Sequence, residues 1–309
     1  MTNSADEART TRTDRYGIQP AGYRLPDATR VGAVHLQVAD LARSIEFYER
    51  ILGLRTVSRR GDRTTLAAQD DDAVLVHLAE RAGARAVPHR GRLGLFHFAI
   101  LLPDRAALGR LVTHLAEMRV HLGASDHLVS EALYLSDPDG LGIEVYADRP
   151  RSEWRVKDRE VAMSTLPLDF DDLVRAAGED RWGGAPRGTV MGHVHLHVGD
   201  IARASAFYHD ALGLDRMVWS YPGALFLAAG GYHHHLGVNT WAGKDAQAAA
   251  DDEARLLEWE LVLPSATDVT AARDSLERAG HEVEERADGR VVARDPWGTA
   301  VALPPRPAS

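Results

Sequence analysis

The sequence predicts an α+β protein assembled from four copies of a βαβββ module. Three observations carry this. Val31–Leu54 (VGAVHLQVADLARSIEFYERILGL) and Met191–Leu214 (MGHVHLHVGDIARASAFYHDALGL) are identical at 13 of 24 positions at a constant offset of 160, so the chain contains a duplication. Each copy passes from alternating residues to residues at helical spacing, the signature of a strand feeding an amphipathic helix. A weaker repeat recurs within each half, closing in SDPDGLGIEVY in the first and RDPWGTAVAL in the second. The Asp-Pro-x-Gly sequence in both is a tight-turn signal.

In order along the chain, GAVHLQV and GHVHLHV read as strands. Asp40 and Asp200 then stand where a helix N-cap belongs. A helix follows, with Ile45, Tyr48 and Leu52 on one face in the first copy, and it stops at Gly53 or Gly213. Further strands are expected at Thr64–Ala68 and Ala73–Ala79, and at Ala224–Ala228 and His233–Thr240. The inner repeat supplies strands at Leu95–Leu102 and Leu257–Leu263, each followed by Pro and a helix reaching Arg119 or Ala279. The modules cover residues 30–83, 93–148, 190–242 and 256–304.

The outer organisation is then a flexible N-terminal arm over 1–29, a first domain of two modules over 30–148, a connector over 149–189 and a second two-module domain over 190–304. The connector is rich in charge, Gly and Pro, with one short helix expected at Leu168–Ala177. Residues 242–255, rich in Ala and Asp, read as a surface loop.

Composition narrows the function. Lys plus Arg number 36 against 45 Asp plus Glu, a net charge of −9, and there is no basic block, which argues against a nucleic-acid partner. The chain has no cysteine, excluding disulfides, thiolate metal sites and a Cys nucleophile. No apolar run is long enough to span a membrane and the N-terminus lacks a signal-like apolar core, so a cytoplasmic location is expected. The unusual feature is 15 histidines, several of them clustered.

Four such modules with these openings resemble the vicinal oxygen chelate superfamily, and within it the two-domain catechol 2,3-dioxygenase, or extradiol ring-cleavage, family. The resemblance covers residues 30–304. The hairpin from His127, HLVSEALYLSDPDGLGIE, is its most specific part, departing only upstream, where Ser125 stands in place of the usual Gly or small residue. The resemblance implies two vicinal-oxygen-chelate domains and Fe(II), or Mn(II), held by two His and one carboxylate. This facial triad leaves positions open for the two catechol oxygens and O₂. The implied partners are a small aromatic diol and O₂, with a homo-oligomer possible.

By the family's spacing the first His ligand lies seven residues before the helix-starting Asp: Ala33 in module one, His193 in module three. The second lies six residues before the Pro: His97 in module two, Glu258 in module four. The Glu ligand closes the last hairpin: Glu144 in module two, Ala302 in module four. The resemblance thus implies a metal site of His97, Glu144 and His193, which requires modules two and three to face each other. His35, on the strand face of Ala33, is the alternative third ligand and would correspond to modules pairing in sequence order. Modules one and four are expected to form a structural half without metal.

A His of near-neutral pKa outside the metal ligands suits the proton transfers of such a reaction. The segment GGYHHHLGV matches the family's carrier of this group at His234, and His127 and Tyr134 match the groups that hydrogen-bond substrate and oxygen. His195 and His197 share the face of His193, one of them expected beside the ligands, while His233 and His235 have no assigned role. Three successive His on one strand cannot all point inward. Phe96, Phe98, Trp219, Tyr221, Tyr232 and Trp241 are the aromatics available to line a pocket. Competing readings are hydroquinone-type ring cleavage, glyoxalase-like isomerisation, and a metal-free protein that binds an aromatic ligand or antibiotic.

Overall fold

The structure, a computed structural model, describes residues 16–88 and 92–305. All four modules form, each as strand, helix and three strands. Module one holds β1 (Arg30–Val38), α1 (Leu41–Arg50), β2 (Arg55–Arg60), β3 (Arg63–Ala67) and β4 (Val74–Glu80). Module two holds β5 (Gly94–Leu101), α2 (Arg105–Glu117), β6 (Gly123–Asp126), β7 (Ser130–Ser136) and β8 (Gly142–Asp148). The connector adds a hairpin, β9 (Val156–Lys157) and β10 (Glu160–Val161), and α3 (Phe170–Ala177). Module three holds β11 (Val190–His197), α4 (Ile201–Ser205, continuing as a π-helical turn over Ala206–Ala211), β12 (Asp215–Val218), β13 (Ala224–Ala228) and β14 (Leu236–Asn239). Module four holds β15 (Arg255–Val262), α5 (Ala266–Arg278), β16 (Val283–Glu285), β17 (Val291–Arg294) and β18 (Ala300–Leu303).

The helix starts follow local chemistry. Asp40, Asp104, Asp200 and Ser265 each sit in extended backbone and accept an N–H from the residue three further on. At the far end Gly53 (φ +66) turns the chain where a Cβ would lie 2.4 Å from Gly184 Cα.

Two eight-stranded sheets result, ordered β16-β17-β18-β15-β1-β4-β3-β2 and β12-β13-β14-β11-β5-β8-β7-β6. Modules one and four share the first sheet, and modules two and three the second, through antiparallel β1–β15 and β5–β11 pairs. The sheets therefore cut across the sequential halves 30–148 and 190–304. The halves stay tied by a repeated contact. Tyr48 donates to Asp137 (3.3 Å) and Tyr208, its counterpart in module three, donates to Asp295 (3.0 Å). The main core fills the space behind both sheets, with Leu36, Tyr48, Phe98, Leu196, Tyr208 and Trp259 fully enclosed.

Three expectations need correction. The part of the arm within the described residues, 16–29, is docked: Ile18 bridges Arg216, Leu25 is buried, and Arg24 grips Asp215 through two nitrogens. Residues 1–15 lie outside the described residues. Residues 242–255 are no simple surface loop, since they form bridges to Arg85 and Leu93 and bury Glu253 against Arg92. The histidine triplet precedes β14 in a bend instead of lying in a strand, which is why His233, His234 and His235 are all buried.

Candidate metal centre

β5 is the middle of three strands that build the site. Glu144 on β8 and His193 on β11 both lie opposite Ala99, from either side. Strands are about 4.8 Å apart, so two long side chains can lean together over a methyl group. His97, one pleat along β5, closes the third corner. All three residues are buried, and their ligand atoms lie within 4.8 Å of one another.

His97 Nε2 lies 3.0 Å and His193 Nε2 3.1 Å from the same oxygen, Glu144 Oε2. Burial alone would raise the Glu144 pKa, but the two imidazoles hold it well below the usual carboxylate range. Burial lowers that of His97, favouring the neutral ring a metal needs. His193 makes a hydrogen bond to the carboxylate, whereas His97 Nε2, though buried 3.0 Å from the same oxygen, is not aligned to hydrogen-bond with it. Such an orphan is costly. A cation shared by the two nitrogens and the carboxylate would satisfy it, so the donor set fits a 2-His-1-carboxylate metal.

His35 does not join this cluster. It sits in the other sheet, 3.0 Å from Glu260 Oε1 and stacked on His77 at 4.0 Å between centroids. The sheet order separates them, because β1 pairs with β15 and β4 and not with β5.

His97 and Glu144 line a cavity of about 250 Å³ together with His127, Tyr134, His195 and His234. His127 Nε2 lies 2.6 Å from Tyr134 Oη, and its Nδ1 2.7 Å from the Ser164 carbonyl. Burial, with Glu144 nearby, keeps the Tyr134 phenol well above its usual pKa. His234 packs on His193, centroids 4.1 Å apart. Behind it His233 Nδ1 lies 2.7 Å from His234 Nδ1, and His233 Nε2 lies 2.9 Å from Asp148 Oδ1. His235 turns away and its Nδ1 accepts from the Ala229 N–H, with burial lowering its pKa to about 3.

Neither His195 nor His197 belongs to the three-residue cluster. Asn239 joins them: its Oδ1 lies 2.7 Å from His197 Nδ1 and its Nδ2 2.9 Å from His195 Nε2. Of the aromatics singled out in the sequence, Phe96, Tyr221 and Trp241 line the cavity. Phe98 is core, Trp219 packs at the core margin, and Tyr232 bonds to Tyr146 Oη at 2.6 Å.

Phe226, Asp148, Asn239 and the roof of Met163, Ser164 and Thr165 escaped sequence reasoning. The roof comes from the connector, closed by a 2.9 Å bond between Thr165 Oγ1 and Tyr221 Oη. No periodicity marks it. The one signal available was the Asn239 position, which falls on the same strand as the predicted His233–Thr240 segment.

The profile of the Glyoxalase/Bleomycin resistance protein/Dioxygenase superfamily matches residues 30–145 and 190–303. A relative named catechol-2,3-dioxygenase, from Bacillus subtilis (strain 168), is 44% identical over 272 residues, covering 87% of this chain and 94% of the relative. A crystal structure described as a candidate dioxygenase from Bacillus subtilis subsp. subtilis str. 168 superposes with a TM-score of 0.64 at 14% identity, covering 93% of this chain and 87% of that one. Glyoxalase I from Zea mays superposes with a TM-score of 0.54 at 17% identity, covering 89% and 92%. The two structural likenesses are likenesses of fold. Among the described residues no helix is long and apolar enough to cross a membrane.

Proposed function

The chain belongs to the glyoxalase/bleomycin resistance protein/dioxygenase superfamily, and on that premise we propose that it is an extradiol dioxygenase that cleaves catechol, or a substituted catechol, beside its two hydroxyls, using Fe(II) held by His97, Glu144 and His193. The observation that carries the reading is the convergence of these three buried groups beside one aromatic-walled cavity, which His97 and Glu144 line together with His234, His127 and Tyr134. The 44% identical relative named for catechol supports the substrate class.

Fe(II), or Mn(II) on the same donors, would be held by His97, Glu144 and His193 and would supply the Lewis-acid and redox chemistry that brings the diol and O₂ to react. The rest is the work of side chains. His234 takes a hydroxyl proton from the incoming diol at Nε2 and later returns it. Tyr134 and His127 exchange the hydrogen bond between them for bonds to the oxygens, Tyr134 Oη donating and His127 Nε2 accepting, and so orient them. Phe96, Phe226 and Trp241 offer apolar faces to the ring, and the Met163–Thr165 roof keeps bulk water out.

The test is anaerobic purification, loading with Fe(II), and a catechol panel followed both as yellow ring-fission product and as O₂ uptake. Product and O₂ consumed in equal amounts are expected. Fully iron-loaded protein that consumes no O₂ with any catechol would overturn the reading.

A further inference from the structure

The first sheet also gathers a His-His-Glu group, and it is not built from that sheet's counterparts of His193, Glu144 and His97 across the module one–three and four–two repeats. Those positions hold Ala33, Ala302 and Glu258, whose carboxylate is taken by Arg286 and Arg290 at 2.6 and 2.5 Å. Three adjacent strands instead bring together His35 on β1, His77 directly beside it on β4, and Glu260 on β15. Their ligand atoms lie within 4.8 Å of one another.

We propose that His35, His77 and Glu260 form a second divalent-cation site, open to exchange, for an ion that prefers imidazole and carboxylate donors, such as Zn(II), Co(II) or Ni(II).

Four features support it. First, the donor types and number match a 2-His-1-carboxylate set. Second, Glu260 is pre-positioned: Oε2 accepts the Ala33 N–H at 3.1 Å, leaving Oε1 toward His35 at 3.0 Å. Third, His77 lies directly opposite His35 in the β1–β4 register, so the two rings share one face of the sheet. Fourth, the three residues line a cup of about 390 Å³ that leaves space for further ligands. Arg60 and Arg63 stand on its wall, and among the described residues neither side chain has a carboxylate partner, so a small anion completing the coordination is favoured there.

The geometry also predicts how this site differs from the buried one. The His35 and His77 rings are stacked, only 10° from parallel. Two parallel rings do not aim their lone pairs at one point, so a ring must turn about χ2 when the ion enters. The cup gives it space to do so, and His35 gives up its hydrogen bond to Glu260 in exchange for the ion. Binding is therefore weaker and faster than at His97, Glu144 and His193, whose rings are already crossed at 68°.

The experiment is equilibrium dialysis of the full chain against Co(II), with ions counted per chain and the Co(II) visible bands recorded. Wild type should bind two ions, one of them removed by brief exposure to a weak chelator. His77→Ala and, independently, Glu260→Gln should bind one, with catechol turnover unchanged. Retention of the second ion by both variants, or saturation of wild type at one ion, overturns the proposal. Because both variants leave His97, Glu144 and His193 intact, loss of the weak ion with turnover preserved separates this claim from the reading of the main site.

Discussion

The Nδ1 atoms of His233 and His234 lie 2.7 Å apart, and this contact sets which nitrogen of His234 faces the cavity as a base. Asp148 is an acceptor, so His233 Nε2, 2.9 Å away, carries a proton. With its proton on Nε2, His233 accepts at Nδ1, and His234 donates from its own Nδ1. Its Nε2 is left with a lone pair, as the proposed proton transfer requires. His234→Gln should keep the metal and lower ring-cleavage turnover by about 10²–10⁴-fold. Asp148→Asn, which loosens the tautomer, should lower it by about 10–100-fold. Steady-state turnover beside metal content checks both, and full activity in His234→Gln would remove the proton-transfer role.

Gly192 adjoins His193, a proposed metal ligand, and a Cβ there would lie 1.9 Å from Tyr146 Oη. That hydroxyl is pinned by Tyr232 at 2.6 Å. Gly192→Ala should destabilise by about 1–3 kcal/mol and weaken metal retention through His193, although no ligand is altered. Denaturation curves and metal titration read the two effects separately.

Asp137 predicts a pH dependence of stability. Burial pushes its pKa up to about 7, against the N–H groups of Leu141 and Asp139 that favour the charged form. With the folded pKa above the unfolded one, the native state holds a proton that the unfolded chain has lost between about pH 4 and 7. The contribution of Asp137 is full below pH 4 and is lost as pH rises to 7. Asp137→Asn keeps an oxygen for the two N–H groups and removes this slope. Its Tm relative to wild type should therefore rise from pH 5 to pH 8; a constant difference would contradict the assignment.

Phe96 and Trp241 meet edge to face at 5.8 Å, and both line the 250 Å³ cavity as well as a groove of about 1170 Å³ outside it. Trp241→Ala should open one space to the other. Relative kcat/KM for a bulky alkyl catechol over catechol itself should increase about tenfold.

Much of this was legible in local pattern. The duplication, the helix caps and the Asp-Pro-x-Gly hairpins are short-range, so the four modules could be read from period and spacing. The pairing of modules two and three was legible only indirectly, because neither sequential half carries His97, Glu144 and His193 together. What stayed hidden depends on contacts across strands or on irregular backbone. His77 beside His35, and Glu260 beside both, arise from register and not from any sequence interval. The bend that buries all three of His233, His234 and His235 leads directly into β14, so its sequence reads as a strand, and a strand there hides the Asp148–His233–His234 chain. The connector roof and the docked residues 16–29 lack periodicity because single contacts hold them, such as Ser164 with His127 and Arg24 with Asp215.

The central claim is that the reaction occurs where β5, β8 and β11 meet, and one comparison tests it most directly: catechol ring-fission turnover of Fe(II)-loaded His193→Ala and His35→Ala, side by side with wild type. His193→Ala should produce no yellow product, because one of three protein donors is gone. His35→Ala should turn over catechol as wild type does, since its ring lies in the other sheet with Glu260 and His77. Loss of turnover in His35→Ala with turnover retained in His193→Ala would contradict the account.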